Sequence, residues 1–347
     1  MFNLLMDYAS ANGIELIIND KSEYNDYPLL KAIELNNLQI IETIIDYANK
    51  HNVVININEK NSINNFPFLN AIENNSIYTI DIILYYAKQH NIVVNINDSN
   101  KDGLFPLLLA IRKRNADIVN IIIEYANQNN LVIDIKNRDN EGNFPLLEAI
   151  YDSSITIAKI LFEYARVHNI VLEINNKNNS SINPLYKAVK YNKTDIVKML
   201  IDYAEEHNIE LNINDNSPIM TSFDNKCTEI SKLIIDYSNQ HHIELLNLND
   251  TCYKYSVGIT QIIKDNQEAF ILILDYSTHH EFSIKIEENS FDKNYEYLVI
   301  EHDDIEKTVD QYKLNSKTTV ALKKYFRLKK QNFNKINEDG TSTFFHT

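Results

Sequence analysis

The chain has 347 residues, 44% of them apolar and 23% charged, an ordinary composition for a folded protein that argues against intrinsic disorder. A formal net charge of −15 sets the molecule as a whole against nucleic acid and anionic membrane. Two cysteines, Cys227 and Cys252, are too few for a disulfide framework or a zinc pattern, and no segment has the apolar length of a membrane span or the basic and apolar regions of a signal peptide.

The first residues, MFNLLMDYAS, read as the inside of a helix. The first copy of the pattern that follows is therefore a half unit, serving as a cap or continuing a unit that starts upstream. A tyrosine followed by Ala, and by Ser in the last two copies, recurs at Tyr8, Tyr47, Tyr86, Tyr125, Tyr164, Tyr203, Tyr237 and Tyr276. The interval is 39 residues throughout, except for 34 between Tyr203 and Tyr237. All six prolines, Pro28, Pro67, Pro106, Pro145, Pro184 and Pro218, lie 19 residues before one of these tyrosines. Such a period identifies a stacked array, which grows without needing separate cores.

Each proline suits the first turn of a helix, where its missing N–H is not needed, and opens a short run such as Leu107-Leu108-Leu109-Ala110-Ile111. The small Ala lets neighbouring helices approach. Asn36, Asn75 and Asn192 follow, a residue type that tolerates the left-handed conformation required to leave a helix. A second helical run comes next, as in residues 117–126, with Asp117 and Asp195 expected as caps at its start. Gly13, Asn52, Asn91, Asn130, Asn169 and Asn208 then mark left-handed stops. Alternating segments such as 92–97 and 209–214 read as β-strands of an extended finger that leads to the next proline.

This unit resembles the ankyrin repeat. The family's D-x-x-G-x-T-P-L-H-x-A pattern is visible in Asp139-Asn140-Glu141-Gly142-Asn143-Phe144-Pro145-Leu146-Leu147-Glu148-Ala149, and Gly103 holds the same glycine position before Pro106. The resemblance covers roughly residues 1–290. Two departures are consistent: an aromatic (Tyr27, Phe66, Phe105, Phe144) stands for the family's threonine, and Leu30, Leu69, Leu108, Leu147 or Tyr186 for its histidine. Apolar packing is expected to replace the hydrogen bonds those residues make, each buried Phe or Leu contributing about 1.5–3 kcal/mol. The period exceeds the family's value of about 33, and the extra residues fall after the tyrosine, lengthening the second helix and the finger. The finger between Tyr203 and Pro218 is five residues short, which predicts a notch. Beyond it, Val257-Gly258-Ile259-Thr260-Gln261-Ile262 replaces the proline-led run, and Gln261 in the small-residue position predicts looser stacking.

Six histidines lie four residues past the repeat tyrosine: His51, His90, His168, His207, His241 and His280. As a metal ladder they fail on distance, because zinc–nitrogen bonds are about 2.0–2.1 Å and stacked helices lie about 8–10 Å apart. They are expected to cap helix carbonyls instead. The neighbouring pairs His241-His242 and His279-His280 point apart. The tyrosine column is expected to be core, with each hydroxyl reaching a polar edge. No phosphate loop or nucleophile motif is present, so neither enzyme activity, cofactor nor metal is expected.

The C-terminal segment differs in kind. Residues 307–335 carry nine basic residues and one acid. Its core, from Thr318 to Lys330, interleaves apolar residues at helical spacing with Lys323, Lys324, Arg327, Lys329 and Lys330. It reads either as a contact for membrane, nucleic acid or an acidic partner, or as a helix that caps the stack while its basic face answers the acidic array. Tyr297-Leu298-Val299-Ile300 reads as a degenerate first helix, in favour of a cap.

The expected fold is an all-α repeat solenoid of helix-turn-helix units with β-like fingers. Residues 1–290 form about eight units, the first partial; 291–335 form a degenerate repeat and basic helical cap; 336–347 form a flexible tail. The resemblance implies a non-enzymatic, monomeric protein-interaction scaffold that binds by finger tips and first helices on its concave side. The compartment expected is the cytoplasm, with the nucleus as alternative. The residues just past each Ala-Ile step vary while the frame is constant: Glu34-Leu35, Glu73-Asn74, Arg112-Lys113, Tyr151-Asp152 and Lys190-Tyr191. Partner contacts are accordingly expected at Arg112, Lys113, Arg114, Tyr151, Asp152, Lys190 and Tyr191. The alternative is an electrostatic tether, in which the basic segment binds nucleic acid or anionic membrane.

Overall fold

Proline placement and left-handed asparagines divide the chain into paired helices. The computed structural model describes residues 6, 8, 9, 11–151, 155–245, 266–279, 285–287, 297–299, 309, 310 and 313–338. Its packing separates two bodies, Met1–Pro184 and Leu185–Thr347. In the first, short helices α1 (Pro28–Glu34), α3 (Pro67–Glu73), α5 (Pro106–Arg112) and α7 (Pro145–Ala149) alternate with longer α2 (Leu38–His51), α4 (Ile77–Gln89), α6 (Ala116–Gln128) and α8 (Thr156–Val167). Each short helix packs on its own long one, and α1, α3, α5 and α7 pack in succession. Helix α9 (Pro184–Lys190) starts at the boundary, and the second body continues with α10 (Thr194–Glu206), α11 (Pro218–Asp224), α12 (Thr228–His241) and α13 (Gln267–His279). Strands β1 (Lys285–Glu287) and β2 (Tyr297–Val299) pair antiparallel, with Ile286 opposite Leu298, and α14 (Ser316–Glu338) packs on α13. The fold class is that of an all-α repeat solenoid.

In the first body each first helix has an extended residue before its proline, at Tyr27, Phe66, Phe105 and Phe144, and those aromatic rings are buried. With Leu29, Leu30, Leu69, Leu107 and Leu108 they form the core between successive units. Three left-handed positions recur per unit. One ends the first helix (Asn36, Asn75, Arg114, Asn192, Lys226), one ends the second (Gly13, Asn52, Asn91, Asn130, Asn169, Asn208, His242), and one shapes the fingertip (Asn25, Asn64, Gly103, Gly142, Ser181). Asparagine fills most of them because its short amide tolerates positive φ, so its abundance has a conformational cause. At Gly103 and Gly142 glycine is needed for space as well: a Cβ on Gly103 would lie 2.8 Å from the Asp139 Cα, and one on Gly142 would lie 2.6 Å from Asn179 Oδ1.

The fingers are not strands. Their alternation does place Ile55, Ile57, Val94, Ile96, Ile133 and Ile135 inward, with Val54, Val93 and Val132 exposed, but the inward backbone bonds to side chains. Leu16, Ile55, Val94, Ile133, Leu211 and Leu245 donate their N–H groups to the hydroxyls of Tyr47, Tyr86, Tyr125, Tyr164, Tyr237 and Tyr276, at 2.7–2.9 Å. Each of these tyrosines is at most 7% exposed, whereas Tyr8 is 60% exposed. Burial raises the hydroxyl pKa of Tyr86, Tyr164 and Tyr237, and the accepted N–H acts against it. Asparagine amides join the outer edge: Asn97 donates to the Val132 carbonyl at 2.8 Å and accepts from Asp134 N–H at 3.1 Å, and Asn19 and Asn58 bridge their neighbours in the same way. Successive fingertips share one backbone bond, such as Lys101 N–H to the Ile63 carbonyl at 3.0 Å, too few for a strand ladder.

Three further sequence expectations are corrected. Asn115, not Asp117, caps α6, accepting from Asp117 and Ile118 N–H at 3.1 Å. Helix α10 has no side-chain cap, and Asp195 lies in its first turn. Tyr297–Val299 is strand β2 and not a first helix. The shortened finger keeps Leu211 and Ile213 buried and enters α11 through two successive left-handed residues, Asn216 and Ser217. Cys252 and the segment from Val257 to Ile262 lie outside the described residues.

Candidate functional site

The residues just past the Ala-Ile step lie where the first helices meet the fingertips. Arg112, the last residue of α5, sends Nη2 to Asp139 Oδ2 and lies 3.5 Å from Glu148 Oε1. Asp139 is held in place because its other oxygen accepts the N–H groups of Glu141 at 2.9 Å and Asn143 at 2.8 Å. Lys113 Nζ is 2.6 Å from Glu73 Oε1. Arg114, at the left-handed helix exit, stacks its guanidinium 4.9 Å from the centre of the Tyr151 ring. The structure thus brings together Arg112, Lys113, Arg114 and Tyr151, and engages all three basic groups within the chain. Tyr151 is 47% exposed. Asp152 lies outside the described residues. In the other body, Lys190 Nζ is 6.0 Å from the centre of the Tyr186 ring, and Tyr191 is partly exposed.

Two units upstream, the same kind of junction is open. A cavity of about 320 Å³ is lined by Tyr24, Asp26, Glu34, Asn61, Asn70 and Glu73, among others. Asp26 Oδ1 accepts from Asn61 Nδ2 at 3.0 Å, and Glu34 pairs with Lys31 at 3.0 Å. Asn70 is buried, and its Nδ2 has no hydrogen-bond partner. The sequence reading missed both this amide and the acids around Arg112. The 39-residue period is the signal that finds them, since Glu34, Glu73 and Arg112 are equivalent positions, as are Asn61 and Asp139, and Asn70 and Glu148.

On the second-helix side, His51, His90, His168, His207 and His241 stack on the tyrosine one turn earlier, ring centres 4.1–4.2 Å apart. His90, His168 and His207 do cap helix carbonyls, through their main-chain N–H groups; the rings cover the tyrosine column, while His90 Nε2 reaches Asn49 Oδ1 at 3.3 Å and His241 Nε2 reaches Glu205 Oε1 at 2.6 Å. His280 lies outside the described residues. Among the described residues no three His, Cys, Asp or Glu groups gather as a metal cluster. A second cavity, of about 580 Å³, is lined by Glu42, Asp46, Tyr78 and Tyr85, with Tyr78 donating to Glu42 at 2.6 Å.

Helix α14 is two-faced. Thr318, Leu322, Tyr325 and Phe326 are buried, while Lys317, Lys323, Lys324 and Arg327 are exposed. Lys329 and Lys330 belong to the same helix. Its start is tied to α13: Gln267 Oε1 accepts from Asn315 N–H at 2.9 Å and from Thr318 Oγ1 at 3.2 Å, and Asn315 Oδ1 caps the helix through Thr318 N–H at 2.9 Å. No helix among the described residues is long and apolar enough to cross a membrane.

Residues 68–171 match a family model described as ankyrin repeats, in three copies. Among solved structures, the human ASB11 ankyrin repeat domain is similar at 17% identity, covering 71% of this chain and 98% of that one, with a TM-score of 0.49. No curated protein matches the chain.

Proposed function

From a chain that is an ankyrin-repeat protein, of a kind that generally mediates protein–protein interaction, we propose a non-enzymatic scaffold that binds a protein partner along the groove between fingertips and first helices. The observation that carries this reading is one column of varied side chains on a constant frame: Glu34, Glu73, Arg112, Tyr151 and Lys190 occupy equivalent positions, while the tyrosine and asparagine ladders behind them repeat. Variation on a fixed frame is what writes specificity without altering the fold. Arg112 serves the frame through Asp139 and Glu148, so the contacts assigned to the partner are Tyr151, Lys113 and, on the other body, Lys190 and Tyr191. Exposed tyrosines suit that role, because aromatic anchors carry much of the binding free energy at interfaces.

The test is capture of partners by the full-length chain, identified by mass spectrometry and repeated with purified components. Binding that withstands raised salt and weakens on Tyr151→Ala or Tyr191→Ala supports the scaffold. A purified chain that turns over a substrate overturns it. The exposed basic face of α14 favours a second reading, an electrostatic tether to nucleic acid or anionic membrane. Its buried face makes deletion a poor test. Charge reversal at Lys323, Lys324 and Arg327 is the better one, and binding that falls steeply with salt and vanishes in that variant favours the tether. A monomer in the cytoplasm, or in the nucleus, is the setting that fits the scaffold.

A further inference from the structure

One junction in the N-terminal body recurs with its charge inverted. At the junction of the units led by Pro106 and Pro145, the chain supplies its own cation: Arg112 sits against Asp139 and Glu148. Two periods upstream the equivalent places are held by Glu34, Asn61 and Asn70, which line the 320 Å³ cavity together with Asp26, Glu73 and Tyr24. Asn70 is only 4% exposed, and its Nδ2 donor is unmet. Buried polar groups are nearly always paired, so this amide is a place where a partner atom is missing from the chain itself.

We propose that this cavity receives an arginine side chain of the protein partner, the external counterpart of Arg112; the proposal rests on the protein-binding reading given above. The guanidinium lies between the carboxylates of Asp26, Glu34 and Glu73 and against the exposed ring of Tyr24, and the buried Asn70 amide in the cavity wall opens to a main-chain carbonyl of the partner as the arginine enters. Arginine fits better than lysine because its planar fork meets carboxylates in pairs and stacks on aromatic faces. Among the described residues arginine already stacks on aromatic rings, Arg114 over Tyr151 at 4.9 Å and Arg138 over Phe144 at 4.6 Å. Glu34 and Glu73 now pair with Lys31 and Lys113 at 3.0 and 2.6 Å, with about half of each carboxylate side chain exposed. Such solvent-screened pairs exchange readily for a better-matched cation.

The test is a titration of the full-length, isotope-labelled chain with the peptide acetyl-Gly-Ser-Arg-Ser-Gly-amide and with its citrulline counterpart, which keeps the shape and loses the charge. The arginine peptide is expected to shift the Asn70 side-chain amide resonances saturably, and the citrulline peptide to bind about tenfold more weakly or less. Glu34→Gln is expected to weaken the arginine peptide by about tenfold. Asn70→Leu, which copies the residue at Leu109 one unit on, is expected to do the same, with the melting temperature unchanged. Equal shifts from the two peptides, shifts spread over the acidic surface without Asn70, or unaltered affinity in Glu34→Gln would overturn the proposal. A partner that still depends on Tyr151 and Tyr191 but ignores Glu34→Gln sinks this site and leaves the scaffold standing.

Discussion

The finger between α6 and α7 and the shorter one between α10 and α11 solve the same problem with different numbers of residues. Both bury two alternating apolar side chains, Ile133 and Ile135 in one and Leu211 and Ile213 in the other. Both hand an N–H to a buried tyrosine at 2.8 Å, Tyr164 for the long finger and Tyr237 for the short. Only the long one has a tip in which Asp139 collects the Glu141 and Asn143 N–H groups and Gly142 makes the turn. The base of the finger is thus the obligatory fastening. The tip is an addition that can be dropped.

The largest effect should come from crowding a tip that is present. Gly103→Ala puts a Cβ into the Asp139 backbone at positive φ, and about 2–4 kcal/mol should be lost from the left-handed penalty and overpacking together. Gly13→Ala, with nothing within 4 Å, should show the conformational part alone. Chemical denaturation of both variants measures the difference. Next, Tyr164→Phe and Tyr237→Phe each leave a buried N–H without its acceptor, which should cost about 1–3 kcal/mol in long and short finger alike. A short finger that tolerates the change would break the equivalence drawn above.

Asparagine bridges should matter less. Asn97→Ala removes the donation to the Val132 carbonyl and the acceptance from Asp134 N–H, and should cost about 1 kcal/mol in the same denaturation experiment. The smallest effect near neutrality is that of pH. Burial holds the hydroxyl pKa values of Tyr86, Tyr164 and Tyr237 above their unfolded value near 10. The folded chain therefore keeps those protons where the unfolded chain loses them, so stability is level below about pH 10 and falls as pH rises beyond it. Thermal melts from neutral to alkaline pH, alongside tyrosinate absorbance, check the sign.

The parts legible in the sequence were those a residue type imposes on its own backbone. Proline at a helix start and asparagine at a left-handed exit act locally, so Pro106, Asn91 and Asn130 could be placed without knowing any neighbour. What the fingers pair with was not local. Alternation at Ile92–Asn97 shows which side chains turn inward, yet says nothing of whether the N–H groups meet a strand or a tyrosine hydroxyl from the next unit. A short apolar run such as Tyr297–Val299 fits helix and strand equally. The binding column was legible as a column, but Arg112 looked free because its acids lie on the following unit, and Asn70 looked like any helix-surface residue.

The tyrosine and asparagine links join each finger only to the unit beside it, and in the fingers that keep their tips the tyrosine link covers a fixed span of chain: 31 residues from Ile55 to Tyr86 and from Val94 to Tyr125. The array is therefore graduated like a ruler. Excising residues 68–106 would set the Ile55 N–H before Tyr125 and restore every fastening, whereas a deletion that cut into the base of a finger or into a helix would break the link at that junction. Gene-level gain or loss of a whole 39-residue step can lengthen or shorten the reading surface without inventing a new interface, and that is the one kind of large change this architecture accepts freely.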